Sequence, residues 1–448
     1  MLSAAPTKPA RTPHTPRTPP AKSKSPKLSQ VNLKSKLRKN LLVIKSIGLN
    51  KTLFLPIALI FVGCLLLISK FVPVNIHRIY NSRIGHFALN TEISATRTRE
   101  KEGRLGRRII NLYCFESLES ANTFLETLWK RTLTCLTGNF GWAVLDIARR
   151  VKNQDFFIET EAIDHEGHLD RPPPTLKFND AELKTGEVFL QSIGLDKDSK
   201  FVCLNVRDDS FLAKTEPIGW HTNRDWSYHN YRDSDIKTYV AAAEAIANMG
   251  YTVFRMGAIV KEPLISTHPR VIDYATNGMR TEFLDIFLGA HCTFAISVGS
   301  GWDSVPTIFR RPLMFVNHLP VFNPVGLTLP TVTYPKILLD NGTGNILSLK
   351  NLIGREIAHR ANSQAYKDAG IEIRDLSSEE LVDAVTEMAQ RVEGTFVETP
   401  KQKEMQAKLK HILSTHPKLQ PSPNYYPIRA QFASCFLSRY PNFLDGLD

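Results

Sequence analysis

The chain has 448 residues, enough for two ordinary domains, and 42% of them are hydrophobic, so it can bury sizeable cores. Its formal net charge of +12 comes from residues 1–51, which carry 12 Lys or Arg and no acid, whereas the remaining chain has 44 basic and 44 acidic residues. Because this larger part is neutral, the overall charge gives no indication of a nucleic-acid partner, and none is expected.

The first segment, residues 1–50, is rich in Pro, Ser and Thr as well as in basic residues, and it contains no Phe, Trp or Tyr. Such a segment cannot bury enough apolar surface to offset the entropy lost on folding. We therefore predict a disordered basic tail.

The next segment, residues 51–72, contains 18 consecutive uncharged residues between Lys51 and Lys70. As a helix these cover roughly 27 Å, close to the thickness of a hydrocarbon core, and they predict a membrane helix. The basic tail ahead of the helix predicts that the N-terminus is cytoplasmic. Because Lys70, Arg78 and Arg83 make the other flank basic as well, an interfacial, non-spanning helix stays open.

The six cysteines indicate neither a metal site nor a disulfide framework. No two are spaced as Cys-x-x-Cys, and Cys203 and Cys292 lie within apolar, strand-like runs where Cys serves as a small hydrophobic residue. No metal and no resident cofactor are expected.

Beyond the membrane segment, apolar strands alternate with helices, first over residues 73–175. Strands are predicted at 74–80 and 107–115, each followed by a helical stretch. The three consecutive prolines at 172–174 exclude a helix and a central strand, so we place a domain boundary near them. A new helix is predicted after Asn179, with Glu182 positioned to complete a capping box.

Residues 176–330 show the same alternation more regularly and predict a second domain. The predicted strands are 200–209, 251–257, 270–276, 291–301 and 312–319, with helices that include 235–250 and 280–290. This order predicts an α/β fold with two Rossmann-like domains, whose parallel sheets are covered by helices and bind ligands at the carboxyl ends of their strands. Residues 331–448 are predicted to form a helical extension that braces the two domains.

Three strands of the second domain end in residues suited to an anionic ligand. The three strand ends are Arg207 to Asp209, Arg255 to Gly257, and Ser297 to Gly301. In the last of these, glycines allow backbone N–H groups to close on a phosphate, and a helix capped by Asp303 or Ser304 follows. The alternative is a plain strand-to-helix turn, but the convergence of three such ends at one edge favours a phosphate-bearing ligand.

Long stretches of the chain resemble a largely uncharacterised family of bacterial glycosyltransferases of the polysaccharide-synthesis type. The resemblance rests on "RIGHFALNTE", "VCLNVRDDSFL", "YHNYRDSDIKTYVAAAEAIANMGYTVFRMG" and "VIDYATNGMRTEFLDIFLGAHCTFAISVGSGWDSVPTIFRRPLMFVN", and it covers about residues 83–400 and the terminal "FLSRYPNFL". The arrangement also resembles the two-domain GT-B architecture, and the apolar segment before it makes this a membrane-anchored member. "NVRDD" is also similar in placement to the strand-end Arg motif of GT-B fucosyltransferases, although Asn205 stands where they usually carry His.

The resemblance implies a glycosyltransferase but not its substrates, and we expect transfer of a sugar from a nucleotide-activated donor to a glycan or lipid-linked acceptor, without a metal. The departing diphosphate then needs guanidinium and backbone N–H groups. Arg207, with Asp209 beside it, is the first candidate, unless Arg207 forms an ion pair with Asp208 or Asp209. The donor-binding candidates are Arg207, Arg255, Gly257, Arg280, Ser297, Gly299, Ser300, Gly301 and Asp303, of which Arg280 has the alternative of pairing with Glu282 or Asp285.

A catalytic base and two alternatives complete the expectations. His86, in "RIGH", is the candidate that deprotonates the acceptor hydroxyl, and His221 in the polar insert before the helix at 235–250 is a weaker one. Asp233 and Asp235 form an Asp-x-Asp triplet that holds a divalent metal in another glycosyltransferase fold, although here an N-cap role explains it. The alternative function is a non-catalytic, membrane-anchored glycan- or nucleotide-binding protein of the same fold.

Overall fold

The computed structural model describes residues 52–447 except 152, 154, 165, 215–226, 322–330, 361 and 420–430. The predicted basic tail and His221 lie outside these residues. The described α-helices are α1 Leu55–Ile68, α2 Ile84–Leu105, α3 Thr123–Thr132, α4 Gly138–Ala148, α5 Asp180–Ser192, α6 Ser210–Lys214, α7 Val240–Asn248, α8 Glu282–His291, α9 Ser304–Ile308, α10 Leu349–Gly354, α11 Ser363–Asp368, α12 Ser378–Glu393, α13 Pro400–Thr415 and α14 Ser434–Arg439.

The described strands build two parallel sheets and one short antiparallel ribbon. The strands are β1 Val74–Ile79, β2 Ile110–Phe115, β3 Cys135–Leu136, β4 Phe157–Ile158, β5 Phe201–Asn205, β6 Thr252–Met256, β7 Val271–Ile272, β8 Phe294–Ser297, β9 Leu313–His318, β10 Thr331–Pro335, β11 Ile337–Asp340, β12 Ile371–Arg374 and β13 Gln431–Phe432. The first sheet has the order β3-β2-β1-β4, and the second has the order β13-β10-β9-β8-β5-β6-β7. The predicted α/β fold with parallel sheets is confirmed.

Both sheets reverse their strand order at one point. In the second sheet the chain runs outwards from β5 through β6 to β7, then returns to β8 on the other side of β5 and continues through β9 to β10. In the first sheet β1 lies between β2 and β4 in the same manner. Helices that follow such neighbouring strands cover opposite faces, which leaves a crevice at the carboxyl ends.

The C-terminal residues differ from the predicted helical extension. Residues 331–448 contain helices, and α12 is held by a capping box between Ser377 and Glu380, but they also add β10 and β13 to the second sheet. The sequence of β10, TVTYP, is only five residues long and buried throughout. The strand ends in Pro335, and because proline is normally confined to edge strands and strand ends, the sequence did not indicate a strand between two others in a sheet.

The apolar segment also differs from the expected separate anchor. Residues 51–72 contain the 14-residue helix α1, whose Ala58, Val62 and Leu65 are buried in one core cluster with Val74 of β1 and Ala143 of α4. None of the helices in the described residues is both long and apolar enough to cross a bilayer. Helix α1 is therefore part of the core of the first half of the chain.

The two halves share a hydrophobic core. Phe87 and Phe115 of the first half pack in one cluster with Trp302 and Val305 of the second. Beneath this contact, Glu92 of α2 is fully buried and accepts a hydrogen bond from Arg310 Nη2 at 2.7 Å. Removing either partner would leave a buried charge unpaired, so this ion pair holds the halves in one arrangement.

The start of α5 is as predicted. Asn179 Oδ1 accepts from the Glu182 N–H at 2.9 Å, and the Glu182 side chain accepts from the Asn179 N–H at 2.8 Å. The helix that follows packs on α8 through Gly186, where an added Cβ would overlap the ring of Phe287.

We predict that Gly186→Ala destabilises the protein by about 1–3 kcal/mol, since the methyl group forces a shift in a packed aromatic core. Gly103→Ala is the matched control, because Gly103 also lies within a helix but its Cβ would meet no atom within 4 Å. The control should be neutral or stabilised by up to about 1 kcal/mol. Urea unfolding measures the free energy of unfolding of both variants. Equal values would contradict the packing of α5 on α8.

Candidate functional site

The candidate site lies at the reversal point of the second sheet, where the carboxyl ends of β5 and β8 are neighbours. Asn205 ends β5 and pairs in register with Ser297, which ends β8. The residues that follow each strand are the "VRDD" and "VGSG" segments in which the sequence placed a phosphate site. The structure brings all three predicted strand ends to this edge, since Asn205 also pairs in register with Met256, which ends β6.

The glycine loop after β8 has a defined conformation. Gly299 has φ of +84°, which favours glycine, and an added Cβ would lie 2.7 Å from Nδ1 of His318. Ser300 Oγ donates to Asn205 Oδ1 at 2.5 Å and also accepts from the Trp302 N–H at 3.2 Å. The loop is therefore fastened to the end of β5 across the crevice.

Gly301 is explained by a second contact. An ideal Cβ on Gly301 would lie 3.3 Å from the backbone nitrogen of Gly85, and one on Gly85 would lie 2.9 Å from Gly301 Cα. Two backbones thus meet where neither residue carries a side chain. The loop after β8 in the second half touches the first turn of α2 in the first half, within the "RIGH" segment that carries His86.

Helix α9 begins after Asp303, but the expected capping bond is absent. Asp303 makes no side-chain cap to α9, and its Oδ2 instead accepts from Ser297 Oγ at 3.1 Å. Because the helix has only five residues, its dipole contributes little. The expectation that a helix N-terminus helps to bind a phosphate here is therefore wrong. Both Asp303 and Ser297 are buried beneath the loop.

Arg207 enters the crevice two residues after β5. Its Nη1 pairs with Asp233, not with Asp208 or Asp209 as the sequence suggested, while Asp208 accepts from two backbone N–H groups and Asp209 is exposed. Burial raises the pKa of Asp233 to about 6, although the charge of Arg207 opposes the shift. Burial also lowers the pKa of Arg207, partly offset by Asp233.

Arg232 is the cation that the site prediction did not include. Its Nη1 donates to the carbonyl of Gly299 at 3.3 Å, so the Arg232 side chain contacts the glycine loop. Among the described residues it has no ion-pair partner, and both its Nε and Arg207 Nη2 are buried without a hydrogen-bond partner. Of these two guanidinium groups, only that of Arg207 is in an ion pair, with Asp233, while the charge of Arg232 acts on the buried carboxyl of Asp303. Because an unpaired buried donor is costly, the crevice favours an anion.

The remaining donor-binding candidates are structural. Arg255 is 1% exposed and its Nη1 lies 3.2 Å from Asp273, so no ligand reaches it. Arg280 pairs with Asp285 at 2.6 Å, as the alternative interpretation had it. Gly257 lies after β6, where an added Cβ would meet the side chain of Val260. The end of β6 thus lies beside that of β5, but Arg255 is engaged with Asp273 there.

A second crevice lies at the reversal point of the first sheet. Tyr80 follows β1 and donates to Glu159, which follows β4. Arg78 reaches both Glu159, at 3.0 Å, and Glu116 at the end of β2, at 2.6 Å. The sequence analysis missed this polar cluster because β4 has only two residues and gives no strand pattern.

His86 lies in the first turn of α2, beside Gly85. Its Nδ1 is 3.2 Å from Asn90 Oδ1, and the Asn90 amide nitrogen donates to the carbonyl of Thr160 at 3.1 Å. That second bond fixes the orientation of the amide, so Nδ1 carries the proton and Nε2 is left as the basic atom. Burial lowers the pKa of His86, opposed by its hydrogen bond to Asn90.

The Asp-x-Asp triplet has other roles. Asp233 pairs with Arg207, and its carbonyl accepts from Lys336 Nζ at 2.6 Å. Asp235 caps the 3₁₀ turn Ile236–Tyr239 by accepting from the Lys237 N–H at 3.0 Å, as the N-cap interpretation predicted. In the described part of the chain no three His, Cys, Asp or Glu side chains come together as metal ligands would.

No protein-family model matches this chain, and no curated protein sequence is significantly similar to it. Among solved structures, it is similar to ADP-heptose LPS heptosyltransferase II from E. coli, with a TM-score of 0.40 and 12% identity over 71% of this chain and 99% of that one. It is also similar to a family 9 glycosyl transferase from Veillonella parvula, with a TM-score of 0.39 and 10% identity over 71% and 97%. Similarities this low do not carry the activity of those proteins over to this chain.

The buried carboxyl of Asp303 gives a pH-dependent prediction. Burial raises its pKa to about 7, opposed by the Ser297 hydrogen bond and by the charge of Arg232. The folded protein therefore keeps a proton between about pH 4 and 7 that the unfolded chain has lost, so stability falls as the pH rises through that window. Asp303→Asn removes this loss of stability because an amide does not titrate. Its oxygen still accepts the hydrogen bond from Ser297.

We expect the free energy of unfolding of Asp303→Asn, relative to that of the parent, to be higher at pH 8 than at pH 4 by up to about 4 kcal/mol. Denaturant unfolding at both pH values measures this gain, with the exposed Asp198→Asn as the control that should show none. A difference between parent and Asp303→Asn that does not change with pH would contradict the buried, protonated carboxyl.

Proposed function

We propose that the protein is a glycosyltransferase of GT-B-like architecture that moves a sugar from a nucleotide-activated donor to a glycan or lipid-linked acceptor. The observation that carries the proposal is the contact between Gly85 and Gly301. It makes the carboxyl edges of two parallel sheets meet, so that a cationic crevice from one half and a candidate base from the other adjoin. A two-substrate transfer needs this arrangement, with one substrate held by each half.

The donor's diphosphate would bind in the crevice of the second sheet. As the bond between the anomeric carbon and the diphosphate oxygen breaks, negative charge develops on the leaving group. Arg207 and Arg232 are positioned to stabilise that charge by charge-assisted hydrogen bonds in a partly buried site. The glycine loop lines the crevice. The hydrogen bond from Ser300 to Asn205 holds the loop in place, so that its backbone N–H groups are pre-positioned as hydrogen-bond donors.

The acceptor would bind at the crevice of the first sheet, near Tyr80 and Glu159. His86 Nε2 would take the proton from the acceptor hydroxyl as its oxygen bonds to the anomeric carbon, and Asn90 would hold the ring in the required tautomer. The polar groups of Tyr80, Glu159 and Glu116 suit a hydroxyl-rich acceptor.

The transfer is proposed to need no metal, because the carboxylates of the Asp-x-Asp triplet are engaged with Arg207 and with a backbone N–H. Attachment to a membrane through the N-terminal region, with residues 1–50 on the cytoplasmic side, belongs to the same proposal. It fits a lipid-linked acceptor.

We predict that Arg232→Ala weakens binding of the preferred nucleoside diphosphate at least tenfold, about 1.4 kcal/mol. Arg232→Lys should restore part of the loss, since it keeps the charge without the planar fork. Calorimetric titration with ADP, GDP, UDP and CDP identifies the preferred nucleotide, and added EDTA should leave its Kd unchanged. Arg439→Ala, which removes a surface arginine paired with Glu379 and Asp383, is the control that should bind like the parent.

If none of the four nucleotides binds, the proposed function is wrong. If one binds but the corresponding sugar nucleotide is neither hydrolysed nor used for transfer, the non-catalytic nucleotide-binding alternative is correct.

We predict that His86→Gln lowers the turnover of donor hydrolysis or transfer by 10²–10⁴-fold, the range of general-base catalysis, without changing the Kd for the nucleoside diphosphate. Because the pKa of His86 is lowered, the acidic limb of the parent's pH–rate profile should fall below pH 6.5. A variant with unchanged turnover, or with the same acidic limb as the parent, would remove His86 from the reaction.

A further inference from the structure

Helix α1 carries an exposed stripe made only of apolar residues. Ile57, Ile60, Leu67 and Ile68 are 58%, 69%, 61% and 42% exposed, and Phe71, just after the helix, is 84% exposed. Their spacing of three, seven, one and three residues places them along one side of a helix. No charged residue interrupts the part of the stripe from Ile57 to Ile68, because none occurs between Lys51 and Lys70.

The opposite side of the same helix is fixed to the protein. Ala58, Val62 and Leu65 are buried against the first sheet and α4, and the ring of Phe61 packs edge-on to Phe140 with centroids 5.5 Å apart. These contacts extend over two turns, so the helix lies along the body of the first half, with its apolar stripe outward.

The chain immediately before the helix indicates what covers this stripe. Residues 1–51 add 12 positive charges and no negative one, directly joined to the helix. An apolar surface next to such a segment suits a partner that is apolar within and anionic at its surface, which describes a membrane rich in anionic lipid. A second copy of the chain would carry the same 12 positive charges, and repulsion between like charges opposes that pairing.

We infer that α1 is an in-plane membrane contact: its stripe inserts among the acyl chains of an anionic leaflet while its inner side stays packed on the first half. The inference deepens the membrane part of the proposed function and does not depend on the nucleotide site. The enzyme would thereby be held on the surface with the first half, and its acceptor crevice, rigidly joined to the contact.

The test is co-sedimentation of the full chain with phosphatidylcholine vesicles that contain or lack phosphatidylglycerol. The parent should bind the anionic vesicles, and binding should weaken as salt is raised. The double variant Ile60→Glu/Leu67→Glu, which changes two exposed side chains, should lower the partition coefficient at least tenfold. Val188→Glu/Ile265→Glu is the matched control, since both residues are exposed apolar side chains of the second half, at 52% and 76%.

Equal binding by the stripe variant and the parent would overturn the inference, as would a parent that binds neither kind of vesicle. A parent that dimerises in sedimentation equilibrium, and becomes monomeric in the stripe variant, would assign the stripe to a second copy instead. Nucleoside diphosphate titration of the stripe variant keeps the two proposals apart. Unchanged nucleotide binding with lost vesicle binding supports the inference, whereas vesicle binding without any nucleotide binding refutes only the proposed function.

Discussion

The approach of two backbones at Gly85 and Gly301 is the constraint on which the proposed site depends. With a Cβ on Gly85 the first turn of α2 and the glycine loop would have to separate, because that Cβ would lie 2.9 Å from Gly301 Cα and 3.0 Å from the Gly301 carbonyl oxygen. The shared core around Phe87 and Trp302 and the buried pair of Glu92 with Arg310 hold these two segments at this distance. The candidate base and the cationic crevice therefore belong to one site.

The charges of that site are balanced only in part. Asp233 compensates Arg207, and Asp303 is half protonated near pH 7, so the charge of Arg232 remains to attract an anion. This arrangement offers a reason for burying several titratable groups at one sheet edge: a protein that bound nothing there would gain stability by replacing them with apolar residues. Buried titratable groups that lower the stability of the fold are typical of functional sites.

Much of the fold could be predicted from the sequence because long apolar strands alternate with helices. The strands around 201–205, 252–256 and 294–297, and the capping box at Asn179, followed from local pattern and chemistry. The two-residue strands β3, β4 and β13, and also β10, could not be predicted, since their pairing is decided by distant partners. The packing of α1 was hidden for a related reason: an apolar helix looks the same whether one side faces lipid or protein.

The position of the candidate residues at a sheet edge could be predicted, but their partners could not. Arg207 and the glycine loop lie at the expected edge, because strand ends are visible in the sequence. Arg255 is excluded by burial, and the partner of Arg207 is Asp233, 26 residues away. Neither could be predicted, because ion pairs are chosen by the fold and not by proximity in sequence.

Hydrogen exchange of the full chain with and without its preferred nucleoside diphosphate tests the central claim most directly. The account predicts slower exchange of backbone amides after β5 and in the glycine loop, at 205–210 and 299–303, together with the first turn of α2 at 84–90. Protection confined to other parts of the chain, or protection of 299–303 without 84–90, would contradict a site built where the two sheets meet.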